Sequence, residues 1–113
     1  GKEVQLTDLS ESDLQKLSKL DMMTVIEMAA AEQQLVRLFP TDITSEEVIE
    51  TVKKYCACVQ IMSGDDDFPL NRVADHLSSQ FYDGDGSVEL IRKYGKERQE
   101  YIASAFEFFA QNT

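Results

Sequence analysis

The spacing of apolar residues along the chain predicts a protein built almost entirely from helices. The clearest segment runs from Thr44 to Gly64 and reads TSEEVIETVKKYCACVQIMSG. Its apolar side chains recur at helical spacing along one broad face: Val48, Ile49, Val52, Tyr55, Cys56, Val59 and Met62. Thr44 and Glu47 fit a T-x-x-E capping box, and Gly64 suits a left-handed residue after the last turn. We therefore expect this segment to be the central helix.

Two helices are expected before the central one. Ser10, with Asp13 three residues on, can start a short first helix that carries Leu14, Leu17 and Leu20. Asp21 and Thr24 can start a second helix or continue the first into it. The apolar residues of this second helix are Met22, Val25, Ile26, Ala29, Val36 and Phe39. It is expected to end before Pro40, because a proline pushes the preceding residue out of helical geometry.

Two more helices are expected after the central one. Asp67 can cap a fourth helix with Pro69 in its first turn, followed by Leu70, Val73, Ala74, Leu77 and Phe81 at helical spacing. The clearest break in the chain is Asp83-Gly84-Asp85-Gly86. A last helix then runs from about Ser87 towards Ala110, and Gly95 inside it is a candidate for a bend.

The predicted fold class is therefore all-α, a small single-domain bundle of about five helices over residues 1–113. Residues 1–9 alternate apolar and polar side chains at Val4 and Leu6, which indicates a short strand or an extended arm. A chain of 113 residues is long enough for one core and too short for two. The core is predicted to contain Val48, Val52, Tyr55, Val59, Ile26, Leu77 and Ile91.

The charge balance excludes some partners. Asp and Glu total 21 against 11 Lys and Arg, which gives a formal net charge of −10. Binding to nucleic acid phosphates requires clustered cations, so neither nucleic acid nor an anionic membrane is an expected partner. A partner with a basic surface is compatible with this charge. No apolar run approaches a membrane span, and the two cysteines suit a reducing cytoplasm.

Candidate chemistry is sparse, and we predict a non-enzyme without metal or cofactor. The segment from Asp83 to Glu89 resembles the middle of an EF-hand calcium loop, but its first and twelfth ligands would be Phe81 and Arg92. Neither side chain can donate oxygen to calcium, so a turn between two helices is expected. Cys56 and Cys58 supply only two thiolates for zinc, and His76 is the single histidine. No catalytic constellation can be assembled around it.

A partner-binding surface is predicted at the most aromatic part of the chain. One face of the last helix can bury Tyr101, Ala105, Phe108 and Phe109, which turns Phe106 and Ile102 away from that stripe. The predicted patch then consists of Val4, Leu6, Leu9, Ile102 and Phe106, available to a helical client or a second subunit. The alternative is that a broader helix face buries Phe106 in the core.

The order of these signals resembles the tail assembly chaperones of long-tailed bacteriophages. The first phrase, Val4-Gln5-Leu6-Thr7-Asp8-Leu9-Ser10, is the closest, and a leucine-spaced helix at Leu14-Gln15-Lys16-Leu17 follows it. The start of the middle helix at Thr44-Ser45-Glu46-Glu47-Val48 and the Pro69-led helix ending in Phe81-Tyr82 continue the pattern. The resemblance implies a cytoplasmic, non-enzymatic protein that keeps the tape-measure protein soluble and helps to recruit tail-tube subunits.

Three other readings fit the same sequence. An acidic inhibitor or DNA mimic would place its carboxylates along a stripe that enters a basic cleft. A helical adaptor or homo-oligomerisation module would use the same exposed apolar faces as the chaperone. A domain that binds a small ligand or a metal is the third.

Overall fold

The fold is all-α, as the sequence predicts. A computed structural model describes residues 11–64 and 67–112 of the chain, with side chains from residue 22 onward. Within those ranges the chain forms five helices and no strand: α1 (Glu11–Leu38), α2 (Glu46–Ser63), α3 (Leu70–Asp83), α4 (Asp85–Tyr94) and α5 (Lys96–Asn112). The expected arm or strand over residues 1–9 lies outside the described residues.

The number of helices agrees with the prediction, but two boundaries differ. The two helices expected before Pro40 are one continuous helix of 28 residues, α1, which ends at Leu38. The single helix expected after Ser87 is divided at Gly95, whose positive φ of 96° stops α4 where only a bend was expected. Glycine tolerates this conformation because it has no Cβ. The prediction divided α1 into two helices and joined α4 and α5 into one. These two errors cancel, so the expected number of helices agrees with the number in the described residues.

The capping residues of α2 and α3 differ in part from those that the sequence predicts. The expected Thr44–Glu47 capping box is wrong, because the Thr44 amide and hydroxyl both donate to Asp42 Oδ1, each at 2.9 Å. Ser45 is the N-cap instead, and its Oγ accepts from the Val48 amide at 3.4 Å. Gly64 ends α2 with φ 74°, as predicted. The cap expected from Asp67 is also wrong, because α3 begins at Leu70 with Pro69 as its N-cap.

The helices pack as two pairs joined through α2. Helices α1 and α2 form one pair, and α3 and α5 share the largest interface of the other, with α4 packed across α3 and α5. Helix α2 contacts both α3 and α5, so it has the central place that its pattern predicts. Buried Gln99 of α5 donates to the carbonyl of Phe81 at 2.6 Å, which satisfies an oxygen at the end of α3.

Three aromatic rings from three helices meet at the centre of the core. Tyr55 of α2, Phe81 of α3 and Phe106 of α5 pack edge to face, with centroid separations of 6.1, 5.3 and 5.0 Å. Val48 and Val52 are fully buried beside them, while Val59 and Leu77 pack against the core with part of their surface exposed. These predicted core residues are confirmed.

Two predicted core residues, Ile26 and Ile91, are exposed. Helix α1 directs a different stripe inward: Thr24, Met28, Ala31, Leu35 and Leu38. Helix α4 buries Ser87 and Leu90, one residue before the expected pair Val88 and Ile91. In this orientation the start of α4 approaches α3 closely, because a Cβ on Gly86 would lie 2.8 Å from the Phe81 ring.

The central position of Phe106 gives the first prediction. Its ring is fully buried and contacts both Tyr55 and Phe81. Phe106→Ala should lower the free energy of unfolding by about 3–5 kcal/mol, as emptying an aromatic site in a core does. Urea denaturation measures this change. Phe108→Ala, which truncates a half-buried neighbour on the same helix, is the matched control and should cost clearly less. Equal costs would contradict the central role of the three rings.

Candidate partner-binding surface

Four large apolar side chains of α1 are exposed within little more than one helical turn. Met22, Met23, Val25 and Ile26 each leave between 50% and 60% of their surface accessible. Thr24 in the middle of this segment is buried. Isolated exposed hydrophobic residues are ordinary, but a contiguous group of this size is typical of an interaction site.

The four side chains surround the helix instead of forming one stripe. Successive residues of an α-helix are rotated by about 100°, so Met22 and Ile26 lie opposite Thr24, with Met23 and Val25 on the two flanks. A helix that is apolar on all sides normally lies inside a larger structure. Among the described residues, only Thr24 of this segment is turned towards the rest of the bundle and buried.

The end of α2 adds two more exposed apolar residues. Ile61 and Met62 leave 52% and 51% of their surface accessible. Cys58 of α2 donates from Sγ to Glu27 Oε2 of α1 at 3.8 Å, and Ala31 lines a groove together with Lys54. The residue numbers run in opposite directions along the two helices, so the pair is antiparallel.

The antiparallel pairing places all six residues at about the same level along the two helices. Ile61 lies about one turn beyond Cys58, and Met23 lies about one turn before Glu27, so both occupy the same level. We call the six residues together the methionine patch: Met22, Met23, Val25, Ile26, Ile61 and Met62. Each of these residues is at least half accessible, and together they expose on the order of 600 Å² on several sides of the two helices.

The predicted partner-binding residues lie elsewhere. Ile102 and Phe106 are buried in the core, at 2% and 0% accessibility, so the expectation that they form an exposed patch is wrong. The reason is that α5 packs against both α2 and α3 and buries a broad face that includes the stripe Ile102, Phe106 and Phe109. Val4, Leu6 and Leu9 lie outside the described residues.

The sequence did contain a signal for the methionine patch. The run Met22-Met23-Thr24-Val25-Ile26 has apolar residues at adjacent positions, which cannot all lie on one face of a helix. If one side of this helix faces the core, two or three of these apolar side chains must therefore be exposed. Only the antiparallel partner helix shows that Thr24 is the side turned inward.

A groove between α1 and α2 is lined mainly by acidic and polar side chains. Glu27 and Gln34 of α1 face Glu46, Glu47 and Glu50 of α2, with Lys54 as the single cation of the lining. Several like charges along one open groove repel anionic ligands. The groove begins at Glu27, next to the methionine patch, so the apolar surface has a negative border on this side.

Both cysteines are buried free thiols. Burial raises the pKa of Cys56 to about 12. Burial first, then the charge of Glu27 and the hydrogen bond to it, raise the pKa of Cys58. A thiol with a raised pKa is a poor nucleophile and a poor metal ligand. Within the described ranges, no three His, Cys, Asp or Glu side chains are grouped to hold a metal ion.

The calcium-like segment has a structural explanation. Gly84 lies between α3 and α4 as the cap of both, while Asp85 and Gly86 belong to the first turn of α4. A Cβ on Gly84 would lie 2.6 Å from Oε1 of Gln80, so both glycines allow close contact between backbone and side chains. The expected turn between two helices is confirmed.

Comparisons with known proteins do not place this chain in a group. Neither protein-family models, nor curated proteins, nor solved structures gave a significant match. Among the helices in the described part of the chain, none is both long and apolar enough to cross a membrane.

The buried thiols predict how stability depends on pH. The native fold keeps the Cys56 proton up to about pH 12, whereas the unfolded chain loses it near the ordinary value of 9.0. Above pH 9 the unfolded state therefore binds fewer protons, and the free energy of unfolding falls as the pH rises towards 12. Denaturant titrations at pH 8 to 11 measure the slope. Cys56→Ala should give a shallower slope than the parent chain; an unchanged slope would contradict the assignment.

Proposed function

We propose that this protein is a non-enzymatic protein-binding bundle and that the methionine patch is its binding surface. The observation that carries the proposal is the exposure of Met22, Met23, Val25 and Ile26 around α1. Apolar surface of this extent gains free energy when a partner covers it, at about 25 cal/mol per Å² before the cost of association.

The shape of the bundle supports the same proposal. The pairing of Glu27 with Cys58 sets Ser63, the last residue of α2, near the level of Met22. The backbone of α1 before Met22 therefore continues for about 16 Å beyond the end of α2. The molecule is correspondingly long, 48 Å against 31 and 22 Å in the other directions. A partner helix could pack beside this segment without displacing any described core residue.

The character of the polar residues also supports a binding role over catalysis. The single histidine, His76, is exposed on α3, and the two thiols are buried with raised pKa values. Catalytic sites usually combine a concave pocket with activated polar groups that face each other. Here the exposed feature is an apolar surface, which suits recognition of another protein.

Tail assembly chaperone is the specific role we propose for this binding surface. The sequence resemblance to that group supports it, and the client would be a tape-measure protein whose exposed helices need covering until tail-tube subunits surround them. The negative charge of the chain would keep the complex dispersed in solution.

Co-expression with a tape-measure protein from the same genome tests this role. The chain should increase the soluble fraction of the tape-measure protein, and the double variant Ile26→Ser/Met62→Ser should lose that effect. Both residues are more than half exposed, so the free energy of unfolding should change by about 0.5 kcal/mol or less for each. Quantified soluble and pelleted fractions give the measurement.

The chain offers a matched control for this experiment. Val88 and Ile91 of α4 are also exposed, at 64% and 43%, and lie outside the methionine patch. Val88→Ser/Ile91→Ser should keep the solubilising effect. Equal loss in both double variants would argue against the patch, and no gain in soluble tape-measure protein with the parent chain would refute the chaperone role.

A further inference from the structure

Helix α4 buries little of its surface. Of its ten residues only Ser87 and Leu90 are buried, whereas α2 buries six side chains along 18 residues and α5 buries six along 17. Its other apolar side chains include Val88 and Ile91, which are exposed. A segment with few buried contacts opens at a lower free energy than the core of the same domain. Helix α4 is therefore the part of the bundle most suited to move separately from α2 and α5.

Both connections of α4 to its neighbours pass through glycine. Gly84 joins it to α3, and Gly95, with φ 96°, joins it to α5. Backbone rotation is less restricted at glycine than at a residue with a Cβ, and a few such residues at the ends of an element can act as hinges. The two ends of α4 can therefore rotate without distorting α3 or α5.

The two helices beneath α4 are joined to each other by contacts of their own. Helices α3 and α5 share the largest helix–helix interface among the described residues. Gln99 of α5 donates to the carbonyls of Phe81 and Tyr82 at 2.6 and 3.3 Å. The hydroxyls of Tyr82 and Ser104 form a further hydrogen bond of 3.1 Å between the same helices. These bonds stay in place when α4 moves away, so α3 and α5 do not need it to remain packed.

The last turn of α4 is fastened to α1 by a group of polar contacts. Tyr94 donates its hydroxyl to Glu32 Oε2 at 2.7 Å, and the same hydroxyl accepts from Gln33 Nε2 at 2.9 Å. Lys93 Nζ lies 3.8 Å from the same carboxylate oxygen. We call these four residues the latch. All four are at least partly accessible to water, which can replace their contacts when α4 moves.

We propose that α4 is a lid, which opens as a unit on the hinges Gly84 and Gly95 while α2, α3 and α5 stay packed. The closed lid buries Leu90 in the core and places Gly86 against the Phe81 ring. Opening exposes Leu90 and the side of Phe81 that Gly86 covers, so the bundle gains apolar surface without global unfolding. The latch favours the closed form, and loss of its contacts shifts the population towards the open one.

Two buried serines provide a matched pair of probes for this motion. Ser87 of α4 is 6% accessible and Ser78 of α3 is 5% accessible, so Ser87→Cys and Ser78→Cys make the same small change at the same depth. Labelling of the full chain with iodoacetamide, followed by mass spectrometry of its peptides, measures how often each thiol becomes accessible. The buried native thiol of Cys56 in α2 reports opening of the core in the same sample.

The lid predicts different labelling rates for the two probes. Each rate is divided by the rate of the same thiol in urea-unfolded chain, and melting curves by circular dichroism establish that both variants fold. The Ser87→Cys thiol should react at least about tenfold faster than the Ser78→Cys thiol, because it requires only the opening of α4. The Ser78→Cys thiol should react as slowly as Cys56.

Removal of one hydroxyl tests the latch. Tyr94→Phe, introduced into the Ser87→Cys chain, deletes the hydrogen bond to Glu32 and should raise the labelling rate of the probe about threefold to tenfold, with the rate at Cys56 unchanged. Tyr82→Phe is the matched control, because its hydroxyl bonds to Ser104 and Glu107 outside α4. Tyr82→Phe should leave the labelling rate of the Ser87→Cys thiol as it is.

Two labelling results would overturn the lid. Equal normalised rates for Ser87→Cys, Ser78→Cys and Cys56 would mean that α4 opens only when the whole domain unfolds. An equal acceleration at Ser87→Cys and Cys56 by Tyr94→Phe would mean that the hydroxyl stabilises the whole bundle instead of the lid. Amide hydrogen exchange of the unmodified chain gives the same decision if a cysteine variant does not fold. The helical amides of residues 89–94 should then exchange at least about tenfold faster than those in the buried part of α2, and equal protection would refute a separate opening.

Discussion

The packing of three aromatic rings from α2, α3 and α5 holds this bundle together. Tyr55, Phe81 and Phe106 meet edge to face, which is a favourable arrangement of their electrostatic quadrupoles as well as a large burial of apolar area. The absence of a side chain at Gly86 lets the first turn of α4 pack against the Phe81 ring. Burial of Cys56 beside Tyr55 follows from the same packing and explains why its thiol keeps its proton.

Helix α1 is attached to this core only along part of its length. Ala31, Leu35 and Leu38 are buried, and Tyr94 donates to Glu32 Oε2 at 2.7 Å, so the C-terminal half is well fixed. Phe39 adds an edge-to-face contact with Tyr101 at 5.2 Å just after the helix. Between Met22 and Ile26, Thr24 is the one buried residue among the described side chains. The exposed side chains of this segment lie on the sides of α1 that face away from Thr24.

The proposed binding role rests on exposed apolar side chains of α1, next to an acidic groove between α1 and α2. Burial of exposed side chains such as Met22 and Ile26 by a partner would supply free energy of association. The acidic groove that begins at Glu27 extends the same sign of charge along α1 and α2. A catalytic interpretation would need activated polar groups, yet the chain's thiols are protonated in the core and its acids are spread over open surface.

The sequence by itself determined the helical class, the central helix and the glycine at its end, because apolar periodicity and backbone permissiveness are local properties. It also identified Val48, Val52 and Tyr55 as core residues, since their helix has one broad apolar face. Only the tertiary structure decided which sides of α4 and α5 face the core, and whether Ile26 and Phe106 are exposed or buried. Both of these residues lie on stripes that local periodicity allows to face either way. The packing of α5 against α2 and α3 buried Phe106, whereas Ile26 lies on the side of α1 away from its described contacts. The candidate binding surface depended on the exposure of Ile26 and its neighbours on α1. Local sequence does not determine that exposure, because it depends on which other helices pack against α1.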